Sequence, residues 1–211
     1  MRLRPDVHLA RLGRDVVLLD AGLGEYLCLP DAAELFFQPA TGPVEVLDDA
    51  VAREAAALGL AGAGRSVAAP LPPSPRADLI DHPASSIRGA DWMAGAGAWT
   101  TMLVRYHGRS FGRLIAHAAQ TRRHVEAPAP ARLADEVAIF RHLLPWAPCQ
   151  GVCLYRSFFL LTFLRRRGLD ATWVFGVQTW PFEAHCWLQA GETVLDDRLD
   201  HVLPFTPILA V

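Results

Sequence analysis

The sequence predicts an α+β protein in two parts: a small winged-helix-like N-terminal domain of three strands plus helices, then a larger helical and antiparallel-β domain. Three observations carry this reading. Short β-favouring runs crowd residues 6 to 30, a proline-rich stretch occupies residues 66 to 75, and long helical runs after it lead into a helix, a strand and a hairpin.

Each element has a local reason. Val7 to Leu12, Val16 to Asp20 and Tyr26 to Leu29 are separated by Gly13-Arg14 and Ala21-Gly22-Leu23-Gly24, both turn compositions. Pro30 and Asp31 end the sheet, and Asp31 is a candidate N-cap for a helix through Ala32 to Phe36. A second helix has Asp48 as N-cap, runs from Asp49 to Leu58 with Val51, Ala55 and Leu58 on one face, and stops at Gly59. Ser66 to Pro75 reads as a polyproline-like linker, which sets domains at residues 1–65 and 76–211. Beyond it, helical patterns span Ser86 to Tyr106, Phe111 to Arg123 and Ala134 to Leu144, the last stopped by Pro145 and Pro148. A further helix covers Gly151 to Arg167, with Cys153, Ser157, Leu160, Leu161 and Leu164 on one face and Gly168 at its end. Strands at Thr172 to Gln178, His185 to Ala190 and Thr193 to Asp197 follow, the last two joined by Gly191-Glu192.

Composition narrows the function classes. The 20 basic residues are all arginine and scattered among 22 acidic ones, a net charge of −2 that gives no nucleic-acid or anionic-membrane footprint. The N-terminus has no apolar stretch behind its charges, and no window reaches the roughly 18 apolar residues of a membrane span, so a cytoplasmic location is expected. There, Cys28, Cys149, Cys153 and Cys186 at irregular separations read as thiols.

Cys153 is the cysteine with a reason to be reactive. It falls in the first turn of its helix, where unpaired N–H groups and the positive dipole end favour a thiolate and can receive an oxyanion. His185 and Asp197 lie on the hairpin that follows, so a base and its orienting carboxylate can face the helix end together. Asp196 competes for the orienting role, since neighbours on a strand face opposite ways and only one can point at His185. A zinc site from Cys149, Cys153, His185 and Cys186 is the rival use of these donors, opposed by the same alternation. Gln150 is a candidate oxyanion donor. Trp146, Trp180 and Trp187 read as core or cleft aromatics, and His107, His117, His124 and His142 as residues of polar helices.

The C-terminal third resembles the leader peptidases (B proteins) of lasso peptide biosynthesis. The resemblance lies in Cys153-Leu154-Tyr155-Arg156-Ser157, Leu164 to Gly168, Phe175-Gly176-Val177, Pro181 to Trp187, Val194 to Asp197 and Thr206 to Leu209. It implies a transglutaminase-like, papain-related cysteine peptidase with Cys153 as nucleophile, His185 as base and Asp197 as orienter. One position departs from that family, which carries Asn where this chain has Asp196. The first 65 residues resemble precursor-recognition domains related to the small protein of pyrroloquinoline quinone biosynthesis, in which a leader peptide adds as a strand to the sheet edge. That implies a leader-binding groove containing Tyr26, Leu27, Cys28, Val51 and Ala55. The implied partners are a ribosomal precursor peptide and an asparagine-synthetase-like macrolactam synthetase, with no cofactor for the chemistry itself. A catalytically silent precursor-binding protein and a thioester-forming acyltransferase are the alternatives.

Overall fold

The computed structural model describes residues 1–38, 44–62, 70–83, 86–121, 130–148 and 151–211. Strands β1 (Val7–Leu12), β2 (Asp15–Asp20) and β3 (Glu25–Leu29) form an antiparallel meander in that order, which leaves the outer edge of β3 unpaired within the sheet. Gly13 at φ 64° and Gly24 at φ 80° make the two turns, a conformation that costs glycine little.

The helix expected from Asp31 to Phe36 does not form. Asp31 has φ 54°, which is not the extended backbone of an N-cap, and only a 3-10 turn at Ala33–Leu35 follows. The chain then enters β4 (Phe36–Phe37), paired antiparallel with β5 (Glu45–Val46), because Phe36 is drawn into the core beneath the meander. Helix α1 (Asp49–Ala57) forms where expected. Asp48 Oδ1 accepts hydrogen bonds from the Ala50 and Val51 N–H groups, both at 2.9 Å, and Gly59 at φ 71° ends the helix.

The meander's two faces serve different cores. Leu9, Val16, Leu18, Leu27 and Leu29 pack with Phe36, Ala55 and Leu60, whereas Ala10, Val17, Leu19, Tyr26 and Cys28 pack into the large core of the rest of the chain. Period-two alternation therefore makes the N-terminal sheet a shared layer. Of the proline-rich stretch, residues 66–69 lie outside the described residues; the rest is held where Gln189 Nε2 donates to the Pro73 carbonyl at 2.6 Å, and the chain continues into β6 (Ala77–Asp78).

The larger part consists of α2 (Gly89–Arg105), α3 (Phe111–Gln120), α4 (Pro130–Leu143), α5 (Cys153–Arg166), β7 (Thr172–Gln178), β8 (Glu183–Ala190), β9 (Thr193–Val194), α6 (Leu199–Val202) and β10 (Thr206–Ala210). Its sheet runs β10-β7-β8-β9-β6, antiparallel except for the β6–β9 pair. The hairpin strand expected to reach Asp197 stops at Val194, because Asp196 turns inward and breaks the ladder. One sheet face (Trp173, Phe175, Val177, Cys186, Leu188) packs on α5, and the other (Val174, Trp187, Val194) packs with Val202 and Phe205. Among the described residues no helix is long and apolar enough to cross a membrane.

Ionic contacts fix the far end of α5. Arg167 donates from Nη2 to Asp91 Oδ1 at 2.9 Å and from Nε to Glu136 Oε2 at 2.7 Å, tying α5 to α2 and α4. Asp91 is completely buried, so this guanidinium balances charge that water does not reach.

Candidate active site

Cys153 is the first residue of α5, and the preceding Val152 is extended at φ −71°, ψ −172°. The side chain therefore leaves the helix where first-turn N–H groups have no partner within the helix. Across from it lies the start of β8. The Cys153 sulfur accepts hydrogen bonds from the Cys186 thiol and the Cys186 backbone N–H and is bonded to the His185 ring, while burial opposes its charge; the sum lowers the thiol to about 4. At neutral pH it is a thiolate.

Burial disfavours charge on His185, but its bonds to Asp197 and the Cys153 sulfur outweigh this and raise it to about 9. Its Nε2 lies 2.6 Å from Asp197 Oδ2. Burial pushes Asp197 up, and hydrogen bonds from His185, the Arg198 N–H and His201 overcome it and hold the carboxyl well below the usual range. A carboxylate only accepts, so His185 Nε2 carries a proton and Nδ1 is the nitrogen left for the sulfur. Rings back the imidazole: Trp187 is stacked at 6.2 Å and Phe205 lies at 5.3 Å. Gly176, paired opposite His185, leaves room for them, because a Cβ there would come within 2.8 Å of the Trp187 ring.

The two aspartates point to different partners, although both lie past the end of β9 rather than on the strand expected there. Asp196 is buried, with Oδ2 accepting from Ser157 Oγ at 2.6 Å and Oδ1 from the Leu188 N–H at 2.8 Å. Its acid is pushed up to about 6, mainly by burial. Asp196 thus ties α5 to β8, and Asp197 alone faces the histidine. Sequence reasoning missed His201, placed Ser157 on the Cys153 face of the helix without a partner, and used Cys186 only in the rival zinc set. The i, i+4 spacing of Asp197 and His201 was the available signal for the first.

The N-terminal sheet reaches this site. Burial, and then the Cys186 and Cys153 sulfurs, push the Tyr26 phenol far above its ordinary value, and its ring lies 5.9 Å from Phe182 on the β7–β8 side. Trp180 Nε1 donates to Asp15 Oδ2 at 2.7 Å and clips β2 to the same loop. Of the five residues expected in a leader groove, Tyr26 and Cys28 turn toward the large core. Leu27, Val51 and Ala55 sit together in the small one. Val152 is 77% exposed and Phe182 43%, an apolar rim beside the thiolate. Trp187 is buried, but Trp146 and Trp180 are each 72% exposed and are not core residues.

The zinc reading loses its geometry. Cys149 and Gln150 lie outside the described residues, and the described donors close enough to share an ion are His185, Asp197 and His201, not Cys153 or Cys186. The set His185, Asp197 and His201 has the chemistry to hold a divalent ion. However, Arg156 Nη2 sits 3.6 Å from Asp197 Oδ2, so a guanidinium already neutralises that oxygen. The arrangement matches a thiolate–imidazolium nucleophile oriented by a carboxylate, able to form and resolve a thioester.

A model of the transglutaminase-like superfamily aligns with residues 98–210, more than half the chain, and the match includes all three residues of this cluster. No curated protein and no solved structure matches.

Proposed function

The chain belongs to the transglutaminase-like superfamily, and we propose that it is a cysteine peptidase that removes the leader from a ribosomally made lasso precursor peptide. The observation that carries the chemistry is the Cys153–His185–Asp197 cluster, with the thiol lowered to about 4 and the imidazole raised to about 9. Cys153 attacks the scissile carbonyl, and first-turn N–H groups of α5 receive the oxyanion. His185 gives its Nδ1 proton to the leaving amine and later takes one from water, which releases the acyl group from sulfur. Asp197 holds Nε2–H throughout.

The choice of substrate rests on the resemblance to lasso leader peptidases. It is supported by the outer edge of β3, unpaired within its sheet, a surface to which an extended peptide can add as a strand. The partners in this reading are the precursor and an asparagine-synthetase-like macrolactam synthetase, which closes the ring on the freed amine. The charged nucleophile argues against a silent binding protein. Cleavage of a candidate precursor encoded beside the gene, run in ¹⁸O-water, separates peptidase from acyltransferase. Hydrolysis places the label in the new carboxylate of the released leader; an unlabelled leader joined to an added amine would make the protein a transferase.

A further inference from the structure

Asp197 has a second imidazole partner. His201 Nδ1 lies 2.9 Å from Oδ2, the same oxygen that His185 Nε2 approaches at 2.6 Å, and the two rings are 4.7 Å apart. The other carboxylate oxygen accepts the Arg198 N–H at 2.8 Å. Because the carboxylate only accepts, His201 must carry its proton on Nδ1, which fixes its tautomer as well. The ring does not float there: it meets Phe205 edge-on at 6.0 Å, and Phe205 also touches His185. Its own short helix is anchored where the Leu199 N–H donates to Asp78 Oδ2 at 2.8 Å, so β6 holds the start of α6 in place.

We infer that His201 is a positioning residue of the active site, one that holds the Asp197 carboxylate so that Oδ2 meets His185 Nε2. The need for it follows from the fold. Asp197 lies beyond the end of β9, on a bend with no ladder of its own, and a carboxylate there can rotate about its side-chain torsions. The Arg198 N–H holds one oxygen. Without His201, Oδ2 is held by His185 itself and by Arg156 Nη2 at the longer distance of 3.6 Å, from a flexible side chain. His201 supplies the rigid directional contact. It is not among the groups that act on the sulfur, so its effect reaches Cys153 through Asp197 and the neighbouring His185 ring.

The inference rests on the Cys153–His185–Asp197 reading, and its test keeps the two apart by following alkylation of Cys153 with iodoacetamide across pH, which needs no peptide substrate. In the intact protein Cys153 should react fast down to about pH 4. His201→Ala should move that acidic limb upward by about one pH unit, the size expected when a charge-assisted contact of about 1.5 kcal/mol is loosened. His201→Asn, whose amide nitrogen can stand where Nδ1 stood, should restore the limb. Melting temperatures of both variants confirm that they fold. A wild-type Cys153 no faster than the other thiols would overturn the triad itself. A fast wild type with an unmoved or downward-shifted limb in His201→Ala, or no rescue by His201→Asn, would remove His201 from the site while leaving the triad intact.

Discussion

Replacing Asp197 with asparagine tests the orienting carboxylate. The change preserves shape and removes the charge that His185 Nε2 meets at 2.6 Å. A hydrogen bond between charged groups contributes about 1.5–3 kcal/mol, and the site is partly open to water, so the lower half of that range applies. At about 1.4 kcal/mol per unit, the imidazolium loses one to two pKa units, and the Cys153 thiolate paired with it weakens alongside. The acidic limb of Cys153 alkylation, at about 4 in the native protein, should rise to roughly 5–6. Peptide cleavage should fall further, by about 100-fold, because the amide also lets the ring leave its working orientation. Asp196→Asn is the control. It should disturb the Ser157–Leu188 tie and lower the melting temperature while leaving the limb near 4. If Asp197→Asn superimposed on the native profile and Asp196→Asn shifted it, the two carboxylates would have been given each other's roles.

Cleavage should be bell-shaped in pH. Activity is lost below about 4 as the sulfur gains a proton, and above about 9 as His185 loses the one it must give to the leaving amine; a single rising limb at the ordinary thiol value would contradict the ion pair. Arg167→Ala strands the Asp91 and Glu136 carboxylates between α2, α4 and α5, which should cost about 3–5 kcal/mol and lower Tm by about 10 °C in calorimetry. A Tm within 2–3 °C of native, roughly one kcal/mol, would show that the network is solvated. A fragment of residues 76–211 should aggregate or melt early, because it uncovers the surface that Val17, Leu19 and Ala21 bury. A folded fragment with native Cys153 alkylation would show that the two parts are independent.

The nucleophile's helix was legible because Leu160, Leu161 and Leu164 repeat at helical spacing behind Cys153, and each is buried. The base was legible because β7 is a continuous β-favouring run and β8 ends at the Gly191-Glu192 turn composition. Two features were hidden. The meander reads as a self-contained module, since alternation reports that both faces of β2 are apolar but not which body covers each. Its junction with the large core is made by residues far apart in sequence, such as Tyr26 with Phe182 and Asp15 with Trp180. The proline-rich stretch likewise reads as a flexible tether, yet its end is pinned by Gln189, a contact no local pattern announces.

The central claim is that Cys153 is the nucleophile of a leader-removing peptidase. Mass spectrometry of the precursor after incubation with Cys153→Ala and Cys186→Ala tests it most directly. Cys186 is buried, and its thiol is raised well above its ordinary value, first by its contact with Cys153 and then by burial, so it stays neutral and does not attack. The account predicts intact precursor with Cys153→Ala, and released leader at reduced rate with Cys186→Ala. Leader released by Cys153→Ala at the native rate would contradict it.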